Sequence, residues 1–190
     1  MRPRGSGGAM LDGSNIRRQS ALMTRGYTCH SCQQFHEELP FSYGSPAPDL
    51  YYQIPENERE QRVDLTTDQC VIDEKHFFVL GRIEIPVIDA DELFAWLAWV
   101  SLSEKNFLRM CELWETPGRE KEPPYFGWLQ TSLPCYGELP ESIATNVHTR
   151  PVGQRPFIEL EPTDHPLAAE QRNGITLARV QQIAEECLHG

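Results

Sequence analysis

The chain has 190 residues, 39% hydrophobic and 9% aromatic, with 15 prolines and 13 glycines; this is enough apolar matter for one core, with too many turn formers for a helical bundle. Its formal charge is −11, but residues 1–25 carry five arginines against Asp12 alone, leaving 12 basic and 27 acidic residues elsewhere, a net of −15. A body of that sign, with no basic run or aromatic–basic interleaving, argues against nucleic-acid binding and fits either plain solubility or a basic protein partner.

Residues 1–26, "MRPRGSGGAMLDGSNIRRQSALMTRG", lack periodicity and any aromatic residue. They read as a disordered basic extension ahead of a single domain at 27–190, with Met10 and Met23 as alternative starts. "PFSYGSPAPDLYYQIP" (40–55) reads as a proline-punctuated loop and "ENEREQR" (56–62) as one or two exposed helical turns. "CVIDEKHFFVLGRIEIPVI" (70–88) has the Val, Ile and Phe content of strands, broken at Asp73–Glu74–Lys75 and ended by Pro86. "ELFAWLAWVSL" (92–102) is the most apolar segment and predicts a central strand buried on both faces.

Ser101 and Glu104 have the spacing of a capping box, with Ser103 a competing cap. The helix they open carries Phe107, Leu108, Cys111 and Trp114 at helical spacing to about residue 115. After a loop at 116–124, segments 125–133, 143–150 and 155–162 read as strands. Their short Pro- and Gly-bearing links favour antiparallel neighbours. "HPLAAEQR" (165–172) predicts a short helix with Pro166 in its first turn, stopped by Asn173–Gly174. Thr176 caps a last helix with the apolar face Leu177, Val180, Ile183, Ala184, Cys187 and Leu188. The fold class is therefore α+β: a mainly antiparallel sheet with two main helices packed on it.

The longest apolar run, "LFAWLAWV" (93–100), is far short of the roughly 20 residues of a membrane-spanning helix. The first thirty residues hold no apolar segment of a secretory signal. Six cysteines with one close pair do not make a disulfide framework, and a reducing cytoplasm is the expected setting.

That pair lies in "YTCHSCQQFHEELP" (27–40). Zinc prefers thiolate sulfur and imidazole nitrogen in a tetrahedron, and Cys29 and Cys32 can present two sulfurs from one turn. His36 follows at the right reach for a third ligand, giving C-x2-C-x3-H and a zinc-knuckle-like N-terminal loop. The fourth ligand must come from afar. Cys70, at the head of the first strong strand pattern, is the first choice; His165, His148 and Cys135 are the alternatives.

A redox pair would need a strand before the motif and a helix after it, and Pro40 cuts such a helix short. Haem attachment needs His where Gln33 stands. Two buried thiols beside an unrelated imidazole is the plain alternative. Asp164–His165 has the form of an oriented general base but no nucleophile can be placed beside it, and an aspartate before a Pro-initiated helix is commonly a cap. "IDADE" (88–92) lacks the glycine and distal glutamate of a calcium loop.

"C-x2-C-x3-H-x2-L-P" at 29–40, "CVID" at 70–73, "FFVLGRIEIPV" at 77–87, "WVSLSEKNF" at 99–107, "PPYFGWL" at 123–129 and "EPTDHPLAAEQRNGIT" at 161–176 occur in that order. Together they resemble an uncharacterised bacterial family, domain of unknown function 2199, over about residues 27–188. The resemblance implies a single-domain bacterial cytoplasmic protein and no reaction. It places Cys70 and His165 at family motif positions. In that family a glycine follows the second cysteine; Gln33 stands there in this chain, which counts against a tight metal knuckle.

Three functions are then in competition. The first is a non-catalytic domain whose structural zinc staples the N-terminal loop to the sheet. The second is a metal-dependent enzyme using Asp164 and His165, with three protein ligands and a water. The third is an acidic inhibitor or immunity-type protein that neutralises a basic partner.

Overall fold

The computed structural model describes residues 26–137 and 143–189, so the expected extension at 1–26 lies, apart from Gly26, outside the described residues. A short hairpin, β1 (Tyr27–Thr28) and β2 (Phe35–His36), precedes β3 (Ser42–Gly44) and two small helices, α1 (Asp49–Tyr52) and α2 (Glu56–Arg62). The strands β4 (Val63–Leu65), β5 (Gln69–Ile72), β6 (His76–Pro86) and β7 (Leu93–Leu102) lead to α3 (Glu104–Glu112). Then come β8 (Tyr125–Leu129), a tight helical turn at Pro134–Tyr136, β9 (Ala144–His148), β10 (Phe157–Leu160), α4 (Pro166–Asn173) and α5 (Leu177–His189). The result is a single α+β domain with five α-helices among the described residues.

The two longest strands organise everything else. β6 and β7 pair antiparallel along their whole length, from Phe77 opposite Leu102 to Pro86 opposite Leu93. The other edge of β7 is shared: β3 takes Ala95–Leu97 and β8 takes Val100–Leu102. The other edge of β6 is shared likewise, by β5 along its first half and by β10 at Arg82. The order β7-β8-β9-β10-β6 thus returns to β7 and closes a five-stranded barrel, with β3 and β5-β4 as extra strands outside it.

Antiparallel pairing, expected for most of the sheet, holds along the meander, and two joints are parallel. β3 lies parallel to β7 and β10 parallel to β6. The second of these closes the barrel: β5 already occupies the first half of β6, so the return strand can add only beyond it. Gly81 permits the approach, because a Cβ there would stand 2.7 Å from the Ile158 side chain and 3.0 Å from the Pro156 carbonyl oxygen.

β7 is buried on both faces, as its unbroken apolar sequence predicts. Phe94, Trp96, Ala98, Val100 and Leu102 face the main core together with Val79, Ile83 and Ile85 of β6. Trp99 faces the opposite side, in a second cluster with Ile54, Cys70, Ile72, Phe78 and Leu80. Each buried tryptophan removes roughly 150–250 Å2 from water, so these two side chains anchor the two clusters. α4 and α5 cover the main core with Leu167, Ala168, Val180 and Ile183.

The helix boundaries follow local chemistry. Ser103, not Ser101, caps α3, its hydroxyl accepting the Asn106 N–H at 3.3 Å; Ser101 belongs to β7, whose pairing with β8 it continues. In α3 the buried positions are Phe107 and Met110, while Leu108 is exposed. Gly174, at φ 78°, ends α4, and Thr176 accepts the Arg179 N–H at 3.2 Å to start α5. β3 and α1 lie inside the segment expected to be loop. No helix among the described residues is long and apolar enough to cross a membrane.

Candidate metal centre

The β1–β2 hairpin exists to form a knuckle. Between its strands, the Cys29 N–H donates to the Gln34 carbonyl at 2.9 Å and the Gln33 N–H to the Cys29 carbonyl at 3.0 Å, folding residues 29–34 into one tight turn. Gln33 takes the left-handed backbone, φ 61°, at the point where the turn reverses. Its side-chain amide donates to the His30 carbonyl at 2.6 Å, a bond glycine cannot make.

Within this turn the Cys32 N–H points at Cys29 Sγ, 3.5 Å away, and Cys32 Sγ lies 3.4 Å from His36 Nε2. His36, opposite Tyr27 in the hairpin register, is stacked on the Tyr27 ring with centroids 5.0 Å apart and planes at 16°. That stacking fixes the imidazole plane. The fourth member is His189, at the end of α5. One donor atom from each of Cys29, Cys32, His36 and His189 lies within 4.8 Å of all the others. His36 and His189 meet edge to face, with ring centroids 6.3 Å apart.

α5 grips the knuckle over successive turns. Gln181 Nε2 donates to the Thr28 carbonyl at 3.1 Å. Glu185 Oε1 accepts from the His30 N–H at 2.9 Å and lies 2.9 Å from His30 Nδ1. Gln181 also donates to that carboxylate, at 2.9 Å. His189 completes a stripe at i, i+4 and i+8, which places all three side chains on one helix face.

The surroundings of Cys29 favour its thiolate. Desolvation pushes the Cys29 thiol up, but the Cys32 N–H, the Cys32 thiol and the Ser31 N–H outweigh it and bring the thiol below its ordinary value. The same opposition acts on Glu185, where burial raises and the Gln181 and His30 donors lower, with a net fall. A partly stabilised thiolate, a second sulfur and two imidazoles form the soft donor set that tetrahedral zinc takes.

Cys29, Cys32 and His36 are therefore brought together as their spacing suggests; Cys70 is not with them. Cys70 stands in β5 opposite Phe78, fully buried in the Trp99 cluster, and burial pushes its thiol up to about 12. The strand pattern that drew attention to it is what turns it into the core. The other remote candidates are also engaged elsewhere. Cys135 packs near α5 with its thiol 4.0 Å from the Ile183 carbonyl, His148 pairs with Glu159 at 2.8 Å, and His165 caps α4 by accepting the Leu167 N–H at 3.2 Å. Asp164 is exposed, beside a histidine whose imidazole is used as a cap. His189 was legible only through the Gln181–Glu185–His189 stripe beside the apolar face of the last helix.

The profile of an uncharacterised protein conserved in bacteria, domain of unknown function 2199, matches residues 28–175. The chain belongs to this family. The match takes in the whole knuckle and the barrel and stops before α5, so Glu185 and His189 lie beyond the matched segment. Searches of curated proteins and of solved structures gave no match.

Proposed function

We propose that Cys29, Cys32, His36 and His189 hold one zinc ion and that its role is structural, in a domain that works by binding rather than by catalysis. One observation carries this reading: four protein donors of the right chemistry already lie within 4.8 Å of one another. Four protein ligands leave zinc no open position for a substrate or water. Cys29 and Cys32 would serve as thiolates and His36 through Nε2, held by the Tyr27 stack. His189 would tie the end of α5 to the hairpin. The acidic surface of the body fits a basic protein partner as the object of such binding, with association that weakens as salt rises.

The test is metal content and X-ray absorption of untagged protein beside Cys29→Ser/Cys32→Ser and His189→Ala. The expected result is one zinc per chain in a two-sulfur, two-nitrogen shell. The double variant loses the ion and much of the thermal stability, and His189→Ala weakens the ion by at least roughly tenfold. A second reading draws on His189, which is exposed and borders a cleft of about 270 Å3 with Ser31 and Glu186. There, a three-ligand ion with a water would do hydrolytic chemistry. A shell of three protein donors plus oxygen, unchanged in His189→Ala, would overturn the structural role in favour of that reading.

A further inference from the structure

A second constellation lies on the outer face of the barrel. Arg82 and Glu84 of β6, Arg150 after β9 and the turn Gly153–Arg155 enclose a cleft of about 520 Å3, with Asp68 at its edge. A smaller cavity of about 160 Å3 shares Asp68, Gly153, Gln154 and Arg155 with it and reaches Arg119. The cleft is thus of a size that small-molecule sites commonly have.

Its arginines are only partly used. Arg150 forks onto Glu84, with Nη1 and Nη2 at 2.9 and 2.6 Å from the two carboxylate oxygens. Arg82 and Arg155 each engage through Nε alone, with Glu84 at 3.0 Å and Asp68 at 2.6 Å. Among the described residues, the four terminal nitrogens of Arg82 and Arg155 have no hydrogen-bond partner. The Arg82 N–H donates to the carbonyl of Pro156, the residue after Arg155, which sets the strand residue Arg82 and the turn residue Arg155 at one cleft.

Behind the turn sits Arg119, 3% exposed. It donates to the carbonyls of Trp114, Arg150, Pro151 and Gln154, which pins the turn, and among the described residues no carboxylate pairs with it. Its guanidinium also lies over the Trp114 ring, 5.0 Å from the centroid. Against Arg82, Arg150 and Arg155 in the cleft stand Asp68 and Glu84, an excess of one positive charge on a body that is otherwise strongly acidic. Arg119 and Glu115 face the smaller cavity and offset each other in formal charge.

We infer that this cleft binds a phosphate group, carried by a small phosphate monoester or as the free ion, with Arg82 and Arg155 as its direct donors. A phosphate monoester presents three acceptor oxygens and a charge of about −1.5 to −2 to the terminal nitrogens of Arg82 and Arg155, whereas a monocarboxylate presents two oxygens and one charge. Guanidinium groups offered from a strand and from a neighbouring turn also suit a tetrahedral oxyanion, and the turn pinned by Arg119 holds the second of them in place. Arg119 is a positioning residue here.

The experiment is calorimetric titration of inorganic phosphate, and separately of glycerol phosphate, into the full chain at low ionic strength. Arg82→Gln, Arg155→Gln and Arg155→Lys are compared with Arg109→Gln, whose guanidinium pairs with Glu122 elsewhere, and thermal melts confirm that each variant is folded. Saturable binding is expected, weakened at least tenfold by either glutamine variant and less by Arg155→Lys, and unchanged by Arg109→Gln. A tighter glycerol phosphate identifies an ester as the natural ligand; a tighter inorganic phosphate identifies the free ion. No saturable binding of either probe, equal binding by the glutamine variants, or displacement by equimolar acetate would overturn the proposal.

Discussion

Gln33 shows how one side chain can hold a position that its backbone disfavours. A left-handed L-residue costs roughly 1–2 kcal/mol, which is why glycine suits that step of the turn. Here the amide recovers part of that cost through its bond to the His30 carbonyl, so the knuckle closes without the glycine. The spacing C-x2-C-x3-H reported this cluster because the three residues are local, and a turn geometry links them directly. Cys70 misled for the opposite reason: a cysteine in an apolar strand is indistinguishable in sequence from a distant ligand until the strand's facing is known. Cys70→Ala therefore has a defined expectation. The zinc stoichiometry read by mass spectrometry stays that of the parent, while denaturant unfolding shows a loss of about 1 kcal/mol from the Trp99 cluster.

At the scale of elements, the legible pieces were those with their own period or cap. β7 announces itself by eight consecutive apolar residues, α2 by its run of charged helix formers, and α5 by Thr176 and an apolar face. β3 has three residues and α1 has four, too few for any period to show. α1 is held from outside instead, with the Asp49 carboxylate accepting the Ser132 N–H and hydroxyl at 2.9 Å each. The parallel joint at the barrel seam was equally hidden, because β10 can add only where β5 leaves β6 free. The seam also makes a prediction. Gly81→Ala puts a methyl group against Ile158 and the Pro156 carbonyl, so the melting temperature should fall by the equivalent of about 1–3 kcal/mol. The far-ultraviolet spectrum should keep its shape, since the strands on either side retain their other partners.

For the whole molecule, the ion pairs that bridge distant segments set the response to acid. The Arg150 fork, helped by Arg82 and opposed by burial, holds the Glu84 carboxyl below the usual range; Arg62 does the same for Asp73. A carboxylate depressed in the folded state stabilises fully above its unfolded pKa, near 4, and loses that contribution as pH falls through the lower folded value. Melting temperature should therefore decline from about pH 5 to about pH 3. Glu84→Gln should start lower at neutral pH and decline less steeply, and a parallel decline in parent and variant would remove Glu84 from the account. The difference between the two curves isolates this pair from any metal released by acid.

The Cys29–His189 contact carries a consequence of another kind. Hairpin and terminal helix lie far apart in sequence, so a site that draws on both exists only while the chain is folded. The free energy of binding an ion there would then be folding free energy, gained by the native state alone. At a free metal concentration 100 times the dissociation constant, that linkage is worth about 2.7 kcal/mol. Stability would thus follow the free metal concentration, and a chelator would lower it without touching a single side-chain contact.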